Sequence, residues 1–243
     1  MGDYHDYTDG DTTCEAYVAR PAGGGAAPVV LVAHQWAGQS DHERHTADRL
    51  AGLGYVGVAL DVYGKGHRGE HGTPTAMEVN TALMTPFLQD RAALRRRLLA
   101  AVEFARGQGD GRVAVMGYCF GGLCALDVAR SGTTDVAGAV SIHGLFTPPG
   151  IGAQGEIAAK VLILHGWEDP MAKPEDVVAV AKELTDARAD WQIHAYGHAM
   201  HAFTAKDANM PEHGLKYDAD ADHRSWRAVV DFLGEVFEDG QGA

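Results

Sequence analysis

Short continuous runs of Val, Leu, Ile and Ala recur along the chain, with helix-length amphipathic segments between them. This alternation limits the folds open to it. The runs at 29–33, 56–60, 113–116, 136–142 and 161–164 are each bounded by Gly, Pro or polar residues. Apolar runs of this length, without polar alternation, suit strands buried on both faces of a parallel sheet. Residues 191–196 alternate in character and read as a further strand. Residues 14–20 read as an antiparallel edge strand. Between them, Ser40-Asp41-His42-Glu43 forms a capping box, and its helix ends near Gly52–Gly54. Residues 89–106 carry an apolar stripe of Leu94, Leu98, Ala101 and Val102. Residues 174–187 begin with a proline suited to a first helical turn. Residues 222–237 place Trp226, Val229, Val230, Leu233 and Phe237 at helical spacing. The pattern predicts one α/β domain over residues 1–243, with a mostly parallel sheet and helices on both faces.

Charge narrows the functions. Asp plus Glu number 33 against 20 Lys plus Arg, a net charge of −13. Such a surface repels phosphates and anionic lipid, so neither nucleic acid nor a membrane is expected as a partner. No apolar run reaches the roughly 20 residues that span a bilayer. The start, Met1-Gly2-Asp3-Tyr4-His5-Asp6, lacks the basic and apolar stretches of a signal peptide. Cys14, Cys119 and Cys124 make no disulfide framework, so reduced thiols and a cytoplasmic location are expected. The length is compatible with a monomer or a homodimer.

In parallel sheets, chemistry gathers at the carboxyl ends of the strands. The strand at 113–116 runs into Gly117-Tyr118-Cys119-Phe120-Gly121-Gly122, then into a helical segment at 123–130. This is a nucleophile elbow with Cys in the usual place of Ser. The turn strains the nucleophile's backbone, and Gly117 and Gly121 leave room for the backbone that passes close by. Cys119 then stands at the positive end of a helix, which favours its thiolate. Cys14 and Cys124 read as small apolar core residues.

An elbow nucleophile needs an acid and then a histidine further along the chain. The strand at 161–164 leads into His165-Gly166-Trp167-Glu168-Asp169-Pro170, where Asp169 is the preferred acid and Glu168 its rival. The strand at 191–196 leads into Gly197-His198-Ala199-Met200-His201-Ala202-Phe203. One histidine there is expected to serve as general base, and spacing does not choose between His198 and His201. No metal is expected. His42-Glu43-Arg44-His45 falls one residue short of H-E-x-x-H and reads as a solvated helix face, and the other histidines form no zinc pattern.

These motifs resemble the dienelactone hydrolase family of the α/β-hydrolase superfamily. The similarity runs from about Val18 to Phe237. It rests on the cysteine elbow, on His165-Gly166-Trp167-Glu168-Asp169, on His201-Ala202-Phe203, and on Ala33-His34-Gln35-Trp36-Ala37-Gly38 with Gly54-Tyr55 and Asp61-Val62-Tyr63-Gly64. The resemblance implies the α/β-hydrolase fold, His201 as base, and an oxyanion hole from the N–H groups of Phe120 and Trp36. It implies a hydrolase of small esters or lactones that needs no cofactor. Two departures stand out. Gln35 occupies the place of a family glutamate that helps form the thiolate. Ala205 and Lys206 stand near the place of an arginine that holds a substrate carboxylate, and neither Arg68 nor Arg91 can be assigned that task. A substrate other than dienelactone is therefore expected.

Gln35, Tyr63, Phe146, Trp167 and Phe203 lie on or beside the strand-end loops and are expected to contact substrate. Residues 62–89 and 204–220 read as long loops able to order on binding. Arg95-Arg96-Arg97 reads as a solvated helix face. Two other chemistries suit the same elbow: a thioesterase or acyltransferase, and a binding or redox-sensing protein whose Cys119 is oxidised.

Overall fold

The computed structural model describes residues 2–238. Its centre is the set of apolar runs, now strands β3 (Val29–Ala33), β4 (Val56–Ala59), β5 (Val113–Tyr118) and β6 (Gly138–Ile142). Every residue of these four strands is buried, as strands covered on both faces require. With β1 (Asp3–Asp9), β2 (Thr12–Ala19), β7 (Lys160–Gly166) and β8 (Trp191–Tyr196) they form one eight-stranded sheet. The order is β1-β2-β4-β3-β5-β6-β7-β8. From β4 through β8 all pairings are parallel, while β1 and β2 add on antiparallel. This is the mostly parallel sheet of the α/β-hydrolase fold.

Helices cover both faces. On one lie α2 (Ala76–Gln89), α3 (Arg91–Arg106), α4 (Phe120–Arg130) and α5 (Pro174–Asp186), over a core that includes Leu94, Leu98, Leu123 and Ile163. On the other lie α1 (Asp41–Gly52) and α6 (Ala219–Glu238), over Leu50, Val140, Leu162 and Phe232. The capping box forms: Glu43 Oε2 accepts from Ser40 N–H at 2.8 Å, and Ser40 Oγ accepts from His42 N–H at 3.2 Å. Among the described residues no helix is long and apolar enough to cross a membrane.

Five expectations are corrected. Segment 12–19 is not at the sheet edge, because β1 pairs along its whole length. The acidic residues of β1 hide its strand pattern, in which only Tyr7 and Asp9 are buried. Residues 62–89 are not loop throughout, since α2 forms and Asn80 latches it to Glu70. Residues 204–220 hold a small hairpin, β9 (Asn209–Met210) and β10 (Leu215–Lys216). Of the three adjacent arginines, only Arg96 is well exposed. Arg97 is buried and donates to Asp9 Oδ2 at 2.9 Å and to the Val62 carbonyl at 2.6 Å. His42, expected in solvent, turns its ring edge-on to Tyr118 at 4.5 Å between centroids.

Candidate active site

Cys119 links β5 to α4 with φ 56° and ψ −116°, a conformation L-residues rarely adopt. The glycines explain how the chain tolerates it. A Cβ on Gly117 would stand 2.2 Å from the Gly121 carbonyl oxygen, and one on Gly121 would stand 2.1 Å from that of Ala33. The Cys119 N–H donates to Ile142 O at 3.0 Å, which ties the turn to the next strand. Of the three free thiols, Cys14 and Cys124 are buried and Cys119 is partly exposed. Burial pushes the Cys14 thiol up to about 11 and the Cys124 thiol well above its usual value, so neither is poised to react.

His201 and Asp169 come from loops after β8 and β7 and meet in the interior. His201 Nδ1 lies 2.7 Å from Asp169 Oδ2, and each side chain is 2% exposed or less. A carboxylate only accepts, so Nδ1 carries the proton in this bond. The other Asp169 oxygen accepts from Met171 N–H at 2.8 Å. His201 Nε2 is buried and makes no complete hydrogen bond, yet it lies within electrostatic reach of Cys119. Burial disfavours the imidazolium, but the charge of Cys119 and the hydrogen bond to Asp169 outweigh it and push the pKa up to about 10. The rivals Glu168 and His198 pair with each other instead, at 2.9 Å on the surface.

The hairpin holds His201 in place. His201 N–H donates to Gly214 O at 2.9 Å, and Lys216 N–H donates to His201 O at 3.2 Å. Gly214, with φ 73°, lies against Pro170 of the acid loop, where a Cβ would be 2.2 Å from the proline ring. His143 packs against His201 from another side. It has φ 37°, is buried edge-on to His201 at 5.2 Å between centroids, and its Nε2 lies 2.9 Å from Thr204 Oγ1. Burial, with the nearby positive charge of His201 and His42, holds its pKa well below the usual histidine value. It stays neutral and does not compete for the proton. His143 was missed in the sequence, although it directly follows a parallel strand.

The early loop is braced from beneath. The His34 Nδ1–H donates to Gln35 O at 2.6 Å, and Glu43 Oε1 accepts from Gln35 N–H at 3.3 Å. The Gln35 side-chain amide bonds to no other described residue. Tyr63 donates its hydroxyl to Trp36 O at 2.8 Å and stacks on Phe120 with centroids 6.1 Å apart. No described residue accepts from the Phe120 or Trp36 N–H, so both donors are available.

The structure relocates two residues expected to touch substrate. Phe203 is fully buried between His143 and Tyr196, in the core. Phe146 packs on His165 and borders a separate cavity between α4 and α5. Trp167 is 44% exposed beside the acid loop. Arg68 is spent on Asp61 at 3.2 Å, and Arg91 on Asp127 at 2.7 Å. Among the described residues no group of three or more His, Cys, Asp or Glu is placed to hold a metal.

A strained nucleophile elbow above a parallel sheet, with an acid and a histidine on later strand-end loops, defines the α/β-hydrolase class. The dienelactone hydrolase family model matches residues 14–237. The chain is 30% identical to the carboxymethylenebutenolidase of Pseudomonas putida over 79% of this chain and 80% of that one. It is 28% identical to carboxymethylenebutenolidase 1 of Cupriavidus pinatubonensis, over 76% of this chain and 79% of that one. Among solved structures it is similar to m3DLH, at 36% identity and TM-score 0.89, covering 97% of this chain and 98% of that one. It is also similar to P91, a dienelactone hydrolase-like promiscuous phosphotriesterase from metagenomic libraries, at 33% identity and TM-score 0.86 with the same coverage. The chain belongs to the dienelactone hydrolase family, and with it to the hydrolases of carboxylic esters and lactones.

Proposed function

We propose that this hydrolase cleaves a small ester or lactone through Cys119, His201 and Asp169, by way of a thioester. The observation that carries the reading is the buried His201, with one nitrogen bonded to Asp169 and the other left unpaired near Cys119. Cys119 and His201 share one proton, which His201 Nε2 holds while the Cys119 thiolate attacks the substrate carbonyl carbon. Negative charge develops on the carbonyl oxygen, facing the N–H groups of Phe120 and Trp36, each worth about 3 kcal/mol in such a role. As the tetrahedral intermediate collapses, the C–O bond breaks and His201 gives its proton to the leaving oxygen. Water then attacks the thioester, His201 takes a proton from it, and Cys119 leaves as the acid is released. Asp169 holds the imidazole in one tautomer throughout.

Gln35 takes no proton in this scheme, so activation of the thiol falls to His201 and the α4 dipole. The reaction calls for no cofactor, and residues 1–243 act as one domain. Gln35, Trp167, Tyr63 and Phe120 are the residues assigned to meet the substrate here, and with Arg68 and Arg91 paired to Asp61 and Asp127 a compact substrate without a carboxylate is favoured. The test is turnover of a panel of aryl esters and lactones by wild type and Cys119→Ala. Loss of about 10⁴-fold or more in the variant is expected, and equal rates would overturn the mechanism. An added alcohol acceptor separates hydrolysis from acyl transfer. A phosphotriester in the panel asks whether the activity in the name of P91 extends to this chain.

A further inference from the structure

A cavity of about 540 Å³ lies between α4, α5 and residues 146–155. That volume suits a small organic ligand. Neither Cys119, Asp169 nor His201 borders it. Its apolar wall includes Phe146, Ile151, Met171 and Val180.

Asp127, Asp176 and Glu183 line it together with Arg95 and Arg130, and each carboxylate has a partner. Asp127 accepts two hydrogen bonds from Arg91, at 2.7 and 2.8 Å. Glu183 accepts two from Arg130, at 2.7 and 2.8 Å. Asp176 accepts from the Lys173 N–H at 2.9 Å. Arg95 also borders the cavity and is only partly exposed, yet it makes no hydrogen bond or ion pair with any described residue. A guanidinium presents a planar fork matched to a carboxylate, and a nearby apolar wall strengthens that pairing by excluding water.

Gly150 and Gly152 have φ 67° and 75°, and an added Cβ at either would meet nothing within 4 Å. The Gln154 amide, which donates to Arg130 O at 3.1 Å, ties the segment to the end of α4.

We propose that this cavity is a second binding site, separate from the nucleophile, for a small monocarboxylate with a compact aromatic body seated on Phe146, Met171 and Val180 and its carboxylate on Arg95. The proposal does not depend on the ester chemistry at Cys119. Phenylacetate is the probe, titrated calorimetrically into wild type, Arg95→Gln, Ala179→Phe and wild type alkylated at Cys119 with iodoacetamide. Arg95 is partly exposed and Ala179 is exposed at the cavity wall, so both variants are expected to melt like wild type. The alkylated protein is expected to keep the wild-type Kd within about twofold. Arg95→Gln is expected to weaken binding by about tenfold or more, and Ala179→Phe to weaken it by narrowing the cavity. Loss of binding on alkylation would put the acid in the catalytic pocket and overturn the proposal. Wild-type affinity in Arg95→Gln, or no saturation by wild type up to about 10 mM, would overturn it too.

Discussion

Two histidine–carboxylate pairs lie side by side where the loops after β7 and β8 meet. Glu168 pairs with His198 at 2.9 Å, and Asp169 pairs with His201 at 2.7 Å. The functional groups are the same and the spacings nearly so. Their surroundings differ completely. His198 is 93% exposed as a side chain, while His201 is 2% exposed. Water screens the outer pair and leaves its rings and carboxylates free to turn. The inner pair is fixed by the Met171 N–H on Asp169, by the Gly214 carbonyl on the His201 backbone and by His143 against the ring. A catalytic base needs a fixed tautomer and a fixed direction, and burial supplies both. The two pairs differ in the company they keep, not in their composition.

The sharpest way to break that comparison is to remove each histidine in turn. His201→Ala is expected to lower kcat/KM for an aryl ester by about 10³-fold or more, and His198→Ala to change it less than about twofold. The reverse result would move the base to the surface pair. Removing each acid's charge comes next. Asp169→Asn is expected to cost about 10²- to 10⁴-fold, because the amide can hold the wrong tautomer, while Glu168→Gln is expected to leave the rate unchanged. Steady-state kinetics on folded variants check both, and equal effects at 168 and 169 would erase the distinction.

A smaller effect concerns pH. The folded His201 keeps its proton up to about 10, against 6.5 for an ordinary histidine. Its contribution to stability is therefore full below pH 6.5 and is lost as the pH rises through about 10. Thermal melts from pH 6 to pH 10 are expected to fall more steeply for wild type than for His201→Gln. Parallel curves would show that His201 holds no such proton. No matching difference is expected for His198→Gln.

Much of the fold was legible. The apolar runs became β3 to β7 with ends shifted by a residue or two, and the alternating run became β8 at its expected bounds. Such runs signal burial on both faces, and local residues alone carry the signal. The elbow was legible from its glycine spacing, although only Gly117 answers to its own turn and Gly121 answers to the Ala33 carbonyl of another strand. β1 was not, because its charged residues find partners elsewhere: Asp9 takes Arg97, and Asp6 takes Lys65. α2 was hidden by the glycines before it and by Pro86 within it. Phe203 read as a pocket residue because aromatic residues beside a strand end look alike in sequence. Its burial against His143 and Tyr196 is a matter of packing. The change Phe203→Ala should therefore cost about 3–5 kcal/mol of stability, with substrate affinity little affected.

The sequence alone determined the layered α/β architecture, the sharp turn at Cys119 and the two short loops that carry an acid and a histidine. Those depend on apolar periodicity, glycine geometry and chain order, which are local properties. Tertiary structure decided which acid met which histidine. It split three neighbouring arginines, setting Arg96 and Arg97 on Asp9 and Arg95 against a cavity apart from Cys119. Those outcomes depend on burial and on partners tens of residues away, and a side chain's neighbours through space are not written in its neighbours along the chain.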